Sequence, residues 1–93
     1  MNLETLRKII ENAGGDEYIF GFIFDNVGRK LFIDEDFNLD QCLVPGTEVL
    51  KFKESDHKGK TYYSYKPIEL IHSIMTVEKV EDKKKLDRFY TTG

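Results

Sequence analysis

Residues 18–24 read Tyr-Ile-Phe-Gly-Phe-Ile-Phe, a run without a charge in which Tyr18, Phe20, Phe22 and Phe24 alternate with Ile19, Gly21 and Ile23. Successive side chains of a strand point to opposite faces, so both faces of this one are apolar. Such a strand belongs at the centre of a sheet, covered on both sides. Gly21 marks a bend or a close approach of another backbone. The chain has 93 residues, enough for one domain spanning 1–93 and one core. At this size only about 60–65% of the unfolded surface is buried, so the other apolar segments have to pack on this strand.

Residues 2–13 supply the first cover. Leu3, Leu6, Ile9 and Ile10 fall on one stripe at helical spacing. Asn2 caps the first turn, Glu4 and Lys8 sit four apart in the favourable order, and Gly14-Gly15 stops the helix. Three turns do not hold alone in water, so the stripe is expected on the sheet. Asp25-Asn26-Val27-Gly28 is turn chemistry, and residues 30–34 return as a second strand. Asn38, with Gln41 three residues on, caps a short turn through Leu43, and Pro45-Gly46 forces a reversal. Residues 47–53 and 60–66 form a hairpin around a tip at 54–59. Residues 67–70 make a tight turn opened by Pro67.

Residues 71–80, rich in β-branched side chains, read as a fifth strand. The competing reading is a helix over 67–76, on the spacing of Ile68, Ile71, Ile74 and Met75. Residues 81–93 form a charged tail, with Leu86, Phe89 and Tyr90 on one side of a short helix and the last four residues frayed. The order predicts an α+β domain. An N-terminal helix packs on a small, bent antiparallel sheet, or an open SH3-like β-barrel, of about five strands across 17–80, with a short C-terminal helix.

Apolar residues make up 40% of the chain and its net charge is −3, too apolar and too weakly charged for intrinsic disorder. No run of about 18 apolar residues occurs, so no membrane-crossing helix and no membrane partner are expected. The first residues, with Glu4, Arg7, Lys8 and Glu11, do not make a signal peptide. One cysteine cannot staple one chain, which suits a reducing, cytoplasmic location. Charge is uneven: residues 1–46 hold four Lys/Arg against nine Asp/Glu, and residues 47–93 hold ten against eight. Only the second half can present a cationic face, so nucleic acid is not the default partner.

Motifs for chemistry are incomplete. Asp34-Glu35-Asp36-Phe37-Asn38-Leu39-Asp40 places oxygen ligands at alternate positions, as a calcium loop does. Such a loop needs glycine at its sixth position and glutamate at its twelfth, where this chain has Leu39 and Pro45. Cys42 sits in an apolar-leaning turn, His57 at the hairpin tip, and His72 in an apolar run, where it reads as half-buried. One cysteine and two histidines do not complete a zinc site or a supported thiol–base pair. No phosphate-binding glycine loop and no G-x-S-x-G elbow is present. Neither catalysis, nor a metal, nor a cofactor is expected.

Two surfaces remain as partner contacts. Asp34, Glu35, Asp36 and Asp40 crowd four negative charges into seven residues, with Phe37 and Leu39 anchoring the segment to the core. Their mutual repulsion is relieved by a basic partner surface. On the hairpin, pairing Lys53 with Lys60 sets Lys51 opposite Tyr62 and Leu50 opposite Tyr63. Period 2 then buries Leu50, Phe52, Tyr63 and Tyr65 and exposes Lys51, Lys53, Lys60, Tyr62, Ser64 and Lys66. The chain is therefore expected to be a non-enzymatic protein-binding module that regulates or inhibits a larger partner, as small phage accessory proteins and inhibitors do. The alternative is a small nucleic-acid-binding β domain using the Lys/Tyr face of 51–66. A free strand edge also offers a route to a two-fold homodimer.

Overall fold

A helix that short needs both ends closed, and it has them. In α1 (Leu3–Ala13) the Asn2 side chain accepts from the Thr5 N–H at 2.8 Å. Gly14 takes φ 113° at the other end, where its N–H and that of Gly15 reach the Glu11 and Ile10 carbonyls. The Glu48 carboxylate, far along the chain, accepts from the Leu3 N–H at 2.8 Å. A negative charge there suits the positive end of the helix. Leu6 and Ile10 enter the core.

The computed structural model describes residues 1–24, 28–33 and 37–83. After α1 come a 3-10 turn (Asp16–Tyr18), β1 (Ile19–Phe24), β2 (Arg29–Phe32) and α2 (Leu39–Cys42). They are followed by β3 (Val49–Ser55), β4 (Thr61–Pro67), a second 3-10 turn (Ile68–Leu70) and β5 (Ile71–Thr76). The α+β architecture is as the sequence predicts, with an N-terminal helix and five antiparallel strands. The strands divide into two sheets, one of order β2-β1-β5 and one of β3-β4, and no barrel closes among the described residues. Of the charged tail expected over 81–93, with its short helix, only 81–83 are described; residues 84–93, which include Leu86, Phe89 and Tyr90, lie outside the described residues, as do turn residues 25–27 and acidic residues 34–36.

β1 is central, as its two apolar faces require, but it is not evenly pleated. Ile19 pairs with Thr76 and Gly21 with Met75, so Phe20 is an extra residue on β1. The bulge breaks simple alternation. Ile19, Phe22 and Phe24 are all buried, while Tyr18 falls in the 3-10 turn and Phe20 stacks on Phe32 at 6.5 Å. A second shift sets Ile23 opposite Ser73 and Phe24 opposite Ile71, which makes His72 the extra residue on β5. His72 is exposed there, not half-buried as its neighbours imply. Residues 67–76 resolve to a single 3-10 turn and a strand, because Ile71, Ser73, Ile74 and Met75 pair along β1. The strand ends at Thr76, short of Val80, where Val77 makes the last backbone bond to Tyr18.

The core is aromatic at its centre. The Phe22 ring lies 5.3 Å from Phe37, 5.5 Å from Phe52 and 6.1 Å from Phe24, centroid to centroid. Phe37 and Leu39 are buried and anchor α2 from both sides of its Asn38 cap, as the sequence predicts. Gly21 is where backbones approach. A Cβ there would stand 2.8 Å from the Leu31 carbonyl oxygen and 2.5 Å from the Met75 methyl.

Two outcomes follow for stability. Phe22→Ala should cost about 3–5 kcal/mol, enough to unfold most of a domain this small. Gly21→Ala should cost about 1–3 kcal/mol, because the Leu31 carbonyl belongs to a paired strand and cannot retreat freely. Urea titration followed by circular dichroism measures both. A Phe22→Ala protein that melts within two or three degrees of the parent would remove Phe22 from the centre of the core.

Candidate functional site

The hairpin tip sets the geometry of the surface beyond it. The Asp56 carboxylate accepts from the Lys58 N–H at 2.8 Å and the Lys60 N–H at 2.9 Å. Gly59 turns left-handed at φ 85°. Asp56 and Lys60 close a three-residue loop over 57–59, and Asp just before such a loop with Gly at its end is a familiar hairpin signal. β3 therefore runs two residues into the tip expected at 54–59, to Ser55, and β4 begins at Thr61, one residue later than expected.

The register is therefore different from the sequence expectation. Lys53 pairs with Tyr63, not Lys60, and Lys51 pairs with Tyr65, not Tyr62. A shift by an odd number exchanges the faces of β4. Leu50 and Phe52 still point to the core, but Tyr62, Ser64 and Lys66 lie across from them on the inward face. The outward face joins Lys51 and Lys53 to Tyr63 and Tyr65, which were expected inside. Tyr63 is 59% and Tyr65 58% exposed, so two large rings lie in water on one face of one strand. The Asp56–Gly59 loop was the signal that could have placed them.

The Lys51 ammonium sits 4.3 Å from the centroid of the Tyr63 ring and 5.9 Å from that of Tyr65. A cation over a π face is attracted by about 0.5–1 kcal/mol at an exposed site. The contact preorganises a charge between two phenols. Of the other expected contacts, Lys60 closes the loop, and Tyr62 turns to the inward face, where it stays 48% exposed. Lys66, half-buried, holds its ammonium 5.2 Å from the Phe24 ring. Asp40 is exposed on α2, with Oδ1 3.4 Å from both terminal nitrogens of Arg7. Asp34, Glu35 and Asp36 lie outside the described residues.

A groove of about 500 Å³ opens beside this face, floored by Leu31, Phe37, Phe52 and Cys42 and rimmed by Lys51 and Lys53. Burial pushes the Cys42 thiol up from its ordinary value, a hydrogen bond with the Asn38 backbone opposes this, and the negative charge of Asp16 adds to the rise. Thiolate is thus disfavoured at neutral pH, which works against a nucleophilic role. Among the described residues no three His, Cys, Asp or Glu side chains come together as a metal site would need.

Cys42 should be alkylated by iodoacetamide more slowly than an unhindered thiol at pH 8. Its rate should keep rising at pH values where an ordinary thiol has levelled off, because a raised pKa delays the thiolate. A rate equal to that of glutathione across the pH range would contradict this placement. Set against protein-family models, curated protein sequences and solved structures, the chain gives no significant match.

Proposed function

We propose that this protein is a non-enzymatic binding module that regulates or inhibits a larger protein, and that Lys51, Lys53, Tyr63 and Tyr65 form the centre of its contact surface. The supporting observation is the Lys51 ammonium resting on the Tyr63 ring. It occupies a π face that a nucleobase would otherwise stack on. What stays accessible is ring edge, phenolic hydroxyl and ammonium, all of which can donate to carboxylates or contact apolar side chains. Tyrosines bring large contact area at the cost of two torsions each, which makes them effective anchors in protein interfaces.

Charge favours the same reading. The cations sit in the second half of a chain whose net charge is −3, and the first half carries the excess of Asp and Glu. Opposed charged regions orient a protein partner and speed its arrival. Asp34, Glu35, Asp36 and Asp40 are the proposed second contact, one that meets basic groups and repels nucleic acid.

The test uses the intact protein as bait in a lysate of its host, beside a Tyr63→Ala/Tyr65→Ala double variant. Both residues are exposed, so the variant should fold with little loss of stability. A partner retained by the parent should bind the double variant weaker by about 2 kcal/mol or more. Titration with a single-stranded oligonucleotide should give no salt-dependent binding. Oligonucleotide binding that falls steeply with salt, with no protein retained, would reverse the choice in favour of nucleic acid.

A further inference from the structure

We infer that the outer edge of β4 receives an extended strand of the partner, with an uncharged centre and acidic ends; this rests on the protein-binding role proposed above. The hydrogen-bond phase of the hairpin identifies which groups are available. The Asp56 N–H donates to the Lys60 carbonyl at one end of the ladder, and the Ile68 N–H donates to the Glu48 carbonyl at the other. Antiparallel pairs alternate, so Tyr62, Ser64 and Lys66 exchange bonds with β3. The N–H and C=O groups of Thr61, Tyr63 and Tyr65 then point outward. Among the described residues no backbone group outside β3 bonds to residues 61–66 of this strand. Pro67, which has no N–H, closes the open stretch.

The other edges carry protection that this one lacks. β2 has four residues, of which two are Arg29 and Lys30. β5 is irregular in register at two points. The far edge of β3 is bridged by Leu43 opposite Leu50 and carries Lys51 and Lys53. Charges, bulges and coverings of this kind block edge-to-edge pairing. β4 pairs with β3 without a shift over seven positions, and between Thr61 and Tyr65 it has neither charge nor proline. Tyr62, Tyr63 and Tyr65 are exposed along it, so both faces offer aromatic neighbours to an added strand.

Charge complementarity decides the occupant. Lys60 and Lys66 stand at the two ends of the open stretch, and Lys51 and Lys53 lie one strand further in. A second copy paired antiparallel over Thr61–Tyr65 in full would set Lys60 of each chain opposite Lys66 of the other. Like charges directly across a sheet are destabilising. A strand with Asp or Glu at both ends and β-branched or aromatic residues between them meets lysines with carboxylates. Backbone bonds then supply affinity, and alternate side chains supply specificity.

A display library of short random peptides, panned against the intact protein, is the probe. Enriched peptides should have an uncharged, β-rich centre between acidic ends. Backbone N-methylation at every second amide should weaken binding about tenfold in one phase and little in the other, because only one set of amides faces β4. Tyr63→Pro removes an outward N–H without touching the β3 ladder, so it should bind these peptides more weakly than Tyr63→Ala at equal melting temperature. The peptide arm leaves the protein unaltered and decides the matter even where the proline variant folds poorly. Peptides that tolerate N-methylation in both phases but need Lys51 and Tyr63 would end the strand-addition mode and leave the binding role intact. Oligonucleotide binding with no peptide enriched would end both. A dimer in sedimentation that Tyr63→Pro dissolves would assign the edge to a second copy and overturn the acidic strand.

Discussion

The rings around Phe22 hold the molecule in one piece. The two sheets share no hydrogen-bonded ladder among the described residues, so their relative placement depends on side chains. Phe22 and Phe24 come from β1, Phe52 from β3, and Phe37 from the residues before α2. Aromatic pairs at these separations add directional attraction to the burial of large apolar surfaces. The chain tightens the same junction elsewhere. Glu48, at the entrance to β3, closes the first turn of α1, and the turn after Pro67 carries β4 directly into β5.

That packing fixes what the hairpin can offer. Leu50 and Phe52 are consumed by the core, so the opposite face of β3 is left to water and carries lysine. Once Asp56 and Gly59 close the loop, Tyr63 and Tyr65 have no choice but to share that face. The surface proposed for binding is thus a by-product of register, held in place by a core on the other side. A contact face on a paired strand is more rigid than one on a loop, which lowers the entropy lost on binding.

Local patterns in the sequence were informative wherever one segment settled its own fate. The cap at Asn2, the stop at Gly14, the short turn capped by Asn38 and the reversal at Pro45-Gly46 all depend on neighbours a few residues away. The run after Leu70 needed more than its β-branched side chains to become a strand, since Ile71, Ser73, Ile74 and Met75 are held by pairing along β1. Less was legible where two segments had to be aligned. A strand pattern tells which residues alternate, but not which partner residue each one faces. An offset of three positions in β3–β4 was enough to move two tyrosines from the expected core to the surface. The bulges at Phe20 and His72 likewise belong to the fit between β1 and β5; Gly21 marks an irregularity beside the first, but neither strand's own pattern says which residue is the extra one.

The amino-acid sequence by itself determined the α+β class, the central place of the 18–24 run, the helix that covers it and the split of charge along the chain. These follow from periodicity and composition, which act over a single turn or a single strand. Tertiary structure alone decided that five strands make two sheets, that Ile19 and Phe22 both reach the core, and that Lys51 meets Tyr63 instead of Tyr62. Each of those outcomes depends on a register between distant segments. Register is set by the joint packing of many side chains and by the hydrogen-bond phase of the ladder, neither of which is written in any one stretch of the chain.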